Sequence, residues 1–235
     1  MNNELNSGEE KKTGSLALEY TRRIFVCVLG LFIYELGVCL GVKAGDVGTN
    51  AWSTLNMGFM NVFGMSLGTA TLVTGVGIIL IDLLGKGKLG LGTFLNWVLL
   101  SYFADLIMKK IFIYLPDPNN TYVAVACTLI GQTIVSFATI LYMQPELGCG
   151  PRDTLMVIVG KLVPKVPIGA VKFCIELVAL GIGFLMGAPV GIGTLLVMLL
   201  QSGIFQLACR ICRYEPRNIH HEDLPETFRR VFNRH

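Results

Sequence analysis

Long apolar runs separated by short polar breaks organise this chain. Six stand out, at 24–42, 68–84, 89–108, 121–143, 168–186 and 191–209, the third extending toward 115. Each approaches or exceeds the ~18 residues with which a helix crosses the hydrocarbon of a bilayer. Two shorter apolar segments, 51–63 and 152–163, lie after the first run and after the fourth. At ~1.5 Å per residue a dozen residues make roughly 18–20 Å, too short for a ~30 Å core. The pattern predicts an all-α polytopic membrane protein of about six transmembrane helices. The first run is long, lacks a small-residue cleavage site and is followed by similar runs, so it reads as a span and not as a cleaved leader.

The two short segments begin alike. DVGTNAWSTL (46–55) lies against ELGCGPRDTL (146–155), matching Asp46 with Glu146, Gly48 with Gly148, Thr54 with Thr154 and Leu55 with Leu155. After a one-residue slip Gly68 matches Gly169, and GLGT (90–93) matches GIGT (191–194). An ordered set of matches at a nearly constant offset points to a duplication. Each half then holds three spans and one short helix, and an odd number of crossings inverts the second half relative to the first. The expected organisation is a disordered cytoplasmic tail at 1–22, a first three-helix repeat at 23–115, a second at 116–212 and a cytoplasmic tail at 213–235. Inverted repeats with interrupted helices recur in secondary transporters, where the interruptions mark the substrate site.

Composition agrees with the pattern. The chain is 53% hydrophobic and 15% charged, against roughly 25% charged in soluble domains. Charge also orients it. With six crossings and a cytoplasmic N-terminus, fifteen of the nineteen Lys and Arg fall on the inner side, as the positive-inside rule asks. Both termini are therefore placed in the cytoplasm. Lys43, Lys109 and Lys110 fall outside, the last two snorkelling from the third span. The net charge of +3 follows from this bias and suggests no nucleic-acid partner. Most of the seven cysteines lie within apolar runs, where Cys acts as a small hydrophobe.

The glycine turns are the candidate substrate site. Irregular backbone at membrane depth is tolerated only where protein buries it or where it lines a watery cavity. In the first turn the candidates are Asp46, Gly48, Thr49, Asn50 and Trp52, with Thr49 or Asn50 able to cap the short helix. In the second they are Glu146, Gly148, Cys149, Gly150, Arg152 and Asp153, with Pro151 suited to the first helical position. If the turns are re-entrant, both helix starts reach the midplane from opposite sides and present free N–H groups to an electronegative ligand. If the short helices lie flat at the interface, Arg152 and Asp153 are solvated and Trp52 is an interfacial anchor.

Glu35 and Glu176 lie deep in the first and fifth spans and, with Lys172 one turn from Glu176, are candidates to carry a coupling proton. Asp82 and Asp105, near span ends, are expected to be structural, Asp105 with Lys109. Asn96, Gln132, Gln201 and Gln206 are able to bond between helices. No phosphate loop, zincin motif or nucleophile elbow occurs, so no enzyme activity, cofactor or metal is expected.

The stretch GVCLGVKAGDVGTNAWSTL, followed by MSLGTATLVTGVGIILIDLLGKGKLGLGTFLNWVLLSYFADLI, resembles the YczE branch of the YczE/YyaS/YitT group of bacterial membrane proteins. Ala44, Val47, Gly48 and Trp52 fit its polar loop, with Ala51 where a proline usually stands, and Pro151 supplies that proline in the second half. The resemblance covers about 24–210 and implies a six-helix protein of the bacterial cytoplasmic membrane, with no firm activity.

The expected function is a transporter or channel for a small polar or anionic solute. Two alternatives stand beside it: a membrane subunit or substrate-capturing component that works with an energising partner, and a scaffold without transport. Expected partners are the bilayer, the solute and either a second copy or that energising subunit.

Overall fold

A computed structural model describes residues 2–87, 90–148, 150–166 and 168–214; the side chains of 2–17, 46, 168, 169 and 202 are outside this description. Among the described residues the structure is all-helical, with no strand. Eight helices follow in order: α1 Asn2–Lys43, α2 Ala51–Phe63, α3 Leu67–Leu84, α4 Leu91–Leu106, α5 Thr121–Met143, α6 Pro151–Leu162, α7 Ile168–Leu185 and α8 Ile192–Cys212. A π-helical turn, Ile107–Ile111, and a 3-10 turn, Phe112–Tyr114, prolong α4. The expected runs and both short segments coincide with these helices to within a few residues. One difference is at the start: the helix reaches back to Asn2 through the segment expected to be disordered. The expected C-terminal tail lies almost wholly outside the described residues.

Among the described residues four segments are long and apolar enough to cross a membrane: Leu18–Lys43, Leu67–Leu84, Leu91–Tyr114 and Thr121–Met143. Ile192–Gln201 and Gly203–Cys212, which meet at 44°, make a fifth if the bent pair is one span. The 18-residue α7 is the remaining candidate for the expected six. Apolar side chains such as Phe25, Leu80, Ile130 and Phe184 face outward, as a lipid-facing surface requires.

Helices α1 and α5 form the central pair and run antiparallel, with Gly30 against Tyr142 and Gly37 against Gly131 and Val135. A Cβ on Gly37 would stand 2.6 Å from the Gly131 carbonyl, so the crossing depends on small residues, as membrane helix contacts commonly do. Polar contacts tie this pair at both ends. Arg23 Nε donates to the Pro145 carbonyl at 2.7 Å, and Lys43 pairs with Asp117 at 2.6 Å. Around the pair, α1 packs on α4 and α5 on α8, while α2 packs on α7 and α6 on α3. Each short helix thus leans mainly on a long helix from the other half of the chain.

Among the described residues two apolar clusters form the core. One gathers Cys27, Leu31, Leu100, Tyr142 and Leu147. The other gathers Val38, Cys39, Val42, Leu67, Ala104, Ile107 and Val135. On α1 they are separated by one turn, and Glu35 occupies it, 2% exposed. The polar interruption read from the sequence is therefore an interior layer.

Candidate functional site

The site is built from two turns seated in reciprocal fashion. Gly48 has φ +84, and a Cβ there would run into Thr194 Oγ1 and stand 2.9 Å from the Gly191 nitrogen. Gly148 has φ +123, and its Cβ would stand 2.7 Å from the Gly90 Cα. Each position therefore needs glycine twice over, for its backbone conformation and for its neighbour. The seats are GIGT, residues 191–194, for the first turn and GLGT, residues 90–93, for the second. Gly92 N–H donates to the Leu147 carbonyl at 2.6 Å, while Gly193 approaches the Val47 and Gly48 carbonyls. The matched glycines that are far apart in the chain are thus in contact across its halves.

From these turns the short helices begin. Asn50 caps α2, its side chain accepting from Ser53 N–H at 2.9 Å; of the two expected caps, Asn50 fills the role. Thr49 is buried and packs over Gly41 of α1. Helix α6 starts at Gly150 with Pro151 in the first turn and no side-chain cap. Thr54 and Thr154 make matching bonds, each hydroxyl donating to the carbonyl four residues back, at 3.0 and 3.2 Å.

The two starts meet. The Arg152 guanidinium lies over the Trp52 ring, 4.9 Å from its centroid. Such a stack contributes roughly 0.5–2 kcal/mol, more as water is excluded. An arginine in the first turn of a helix sits at the positive end of the macrodipole and needs compensation. Glu35 and Glu176 lie within electrostatic reach of Arg152, as does Tyr34. Asp153 acts on Glu176 in turn and lies with Asn96 beside Gly150. Glu35 accepts a weak bond from Cys39 Sγ at 3.8 Å, and Lys172 reaches Glu176 at 4.0 Å. Beside Arg152 a recess of ≈ 20 Å³ opens between α3, α4 and α6, lined by Thr71, Gly75, Ile78, Asn96, Trp97, Leu100 and Pro151. That is room for a water molecule and too small for an organic solute.

The structure therefore brings together Trp52, Arg152, Asp153, Glu35, Glu176 and Lys172, and it uses Gly48, Thr49, Asn50, Gly148 and Gly150 to shape the turns. Glu146 is exposed at φ 58 and belongs to the turn. Cys149 and the Asp46 side chain lie outside the described residues. Asp105 is structural, as expected. It accepts from Ser66 Oγ at 2.7 Å and Gly68 N–H at 2.8 Å and pairs with Lys109 at 2.8 Å, which fastens the start of α3. Asp82 does not follow suit: both of its carboxylate oxygens are buried without a hydrogen-bond partner. Sequence reasoning also missed Tyr34, Trp97 and the Asn56 network. Asn56 donates to Thr71 Oγ1 at 2.9 Å and accepts from Thr74 Oγ1 at 2.7 Å. One signal was available, the polar Asn56 in the middle of a largely apolar short segment.

Residues 21–210 match the model of DUF6198, a family of unknown function. An uncharacterized protein of Haemophilus influenzae is 30% identical over 175 residues, 74% of this chain and 78% of that one. The uncharacterized membrane protein YczE of Bacillus subtilis is 26% identical over 181 residues, 76% of this chain and 81% of its own. The uncharacterized protein YyaS of the same organism is 25% identical over 177 residues, 73% and 85% of the two chains. The resemblance read from the polar loop is borne out. No solved structure matches.

Proposed function

We propose that this chain, which belongs to the DUF6198 family of unknown function, moves a small polar solute across the membrane by alternating access. The observation that carries the proposal is the meeting of the two short-helix starts at Trp52 and Arg152. Non-helical backbone next to such a meeting point is what broken-helix transporters use to hold substrate. Arg152 and the free N–H groups of two helix starts suit an anionic group. Glu35, Asp153 and Glu176 suit a hydrogen-bond donor on the same solute. In this reading α2 and α6 are re-entrant, entering from opposite faces. The chain is an inverted repeat of two three-span halves, with α7 and the bent α8 as full spans. Reciprocal seating of Gly48 on 191–194 and Gly148 on 90–93 supports that symmetry. The distribution of Lys and Arg supports a cytoplasmic location for both termini, in the bacterial inner membrane.

The test begins without a known substrate. Purified protein is screened by thermal shift against small polar and anionic metabolites, and hits are assayed for counterflow in proteoliposomes. The expected result is a hit that moves and that loses both shift and movement in Arg152→Gln. A hit unaffected by Arg152→Gln would contradict the site. Stabilisation without movement would favour a substrate-capturing subunit of a larger assembly.

A further inference from the structure

Asp82 ends α3 in an apolar corner. It is 0% exposed, and among the described residues it is the only carboxylate with both oxygens buried and unbonded. The turn that follows folds back on it, Gly87 N–H donating to its backbone carbonyl at 2.7 Å. Helix α6 packs against that turn. A Cβ on Gly87 would stand 2.8 Å from both Thr154 Cγ2 and Ile158 Cδ1, and one on Gly85 would stand 2.6 Å from Ile158 Cγ2.

Among the described residues no counter-charge reaches it. Helix α2 carries no charged residue, and α4 carries only Asp105, already bound to Ser66, Gly68 and Lys109. Helix α6 carries Arg152, Asp153 and Lys161, the last exposed, and the turn carries exposed Lys86; none of these pairs with Asp82. Lys88 lies outside the described residues. A buried carboxylate without partners is too costly to leave charged, so it is neutralised by what it binds. A hard metal ion asks for several oxygen ligands, and no group of three or more His, Cys, Asp or Glu is assembled among the described residues. A proton asks for one oxygen.

We propose that Asp82 is a proton-binding site that α6 opens and closes. With α6 seated, one carboxyl oxygen holds the proton in a dry corner. When α6 lifts from α3, water reaches the carboxyl, its O–H bond breaks, the proton leaves as hydronium and the carboxylate remains hydrated. Reseating α6 requires a proton to be taken back from water. Thr71, Gly75 and Ile78 line the recess beside Arg152, and Asp82 is the next turn of the same α3 face. Since Arg152 stands in the first turn of α6, a movement that wets Asp82 also moves Arg152. Proton binding stands by itself; its use to drive a solute rests on the transport reading above.

Infrared spectroscopy of the full chain in lipid reads this directly. At about neutral pH the wild type shows a protonated-carboxyl band that Asp82→Asn removes and Asp105→Asn keeps. Hydrogen–deuterium exchange of that proton is about tenfold faster in Ile158→Ala, which thins the α6 cover. An unchanged band in folded Asp82→Asn overturns the proposal. If that variant does not fold, carbodiimide modification of the wild type, mapped by mass spectrometry, decides: an adduct on Asp82 supports the site, and an unmodified Asp82 beside modified Glu35 overturns it. A proton on Asp82 with no solute movement keeps the site and removes its coupling role. Solute movement with an ionised Asp82 keeps the transport reading and removes the site.

Discussion

Helices α2 and α6 start from matched sequences and are held very differently. Helix α2 is capped by Asn50, buries Ala51, Ser53, Thr54, Leu55, Asn56 and Gly58, and is bonded to α3 through Asn56. Helix α6 has no side-chain cap and buries only Pro151, Thr154 and Leu155. One hundred residues on from Asn56 stands Met156, which has no polar bond to offer. The long helices beside them differ in the same way. At an offset of 101, Thr71 and Gly75 of α3 correspond to Lys172 and Glu176 of α7. Thr71 is spent on fastening α2, whereas Lys172 and Glu176 are an ion pair facing the charged start of α6. The first half supplies a rigid wall and the second supplies charge on a loosely held helix. If the site opens, the physical expectation is that α6 moves and α2 stays, since local opening follows sparse packing and few buried bonds.

The largest effect that probes this difference is at the turns themselves. Gly48→Ala and Gly148→Ala each force a side chain into left-handed backbone against a close neighbour, at a cost of roughly 2–4 kcal/mol. They are separable by rescue. The obstacle at Gly48 is the Thr194 side chain, so Thr194→Ala restores part of the loss; the obstacle at Gly148 is Gly90 backbone, and no truncation relieves it. Thermal unfolding in detergent measures both, and equal rescue of the two would break the distinction. Next, Asn56→Leu leaves Thr71 and Thr74 unpaired and costs roughly 1–3 kcal/mol, whereas Met156→Leu costs under about 1.5 kcal/mol. Comparable losses would show that α6 is held as firmly as α2. Arg152→Lys gives up the flat guanidinium over Trp52, lowering stability by about 1 kcal/mol or less while reducing solute movement about tenfold or more. Smallest of all is Lys172→Met. It removes a half-exposed partner at 4.0 Å and shifts stability by about 0.5 kcal/mol or less.

Much of this fold was legible because hydrophobic run length is a strong signal in a membrane chain. The segments 51–63 and 121–143 were bounded by Gly, Pro, Asn and Asp punctuation, and the helices start and stop there. The meeting of the two short-helix starts was expected only for re-entrant turns, and the stack of Arg152 on Trp52 was not read from the sequence. Other features were not. Asp82 and Asp105 look alike in sequence, each a lone acid near a span end, and only the packing tells them apart. Asp105 of α4 binds the start of α3, whereas the turn beyond Asp82 packs on Ile158, 76 residues further along the chain. Likewise Glu35 had no evident partner on its own helix beyond Cys39, because its electrostatic neighbour Arg152 comes from the other half. The 44° bend of α8 falls at Gln201-Ser202-Gly203, a polar and glycine break that run length alone passes over.

The central claim is that Arg152 lies where each side of the membrane gains access in turn. Arg152→Cys, in a background whose native cysteines are replaced by Ser or Ala, is reacted with a membrane-impermeant maleimide in right-side-out and in inverted vesicles. The account predicts modification from both sides, with Trp52→Cys behaving in the same way. Modification of Arg152→Cys from one side alone, in both vesicle preparations correctly sealed, would contradict it.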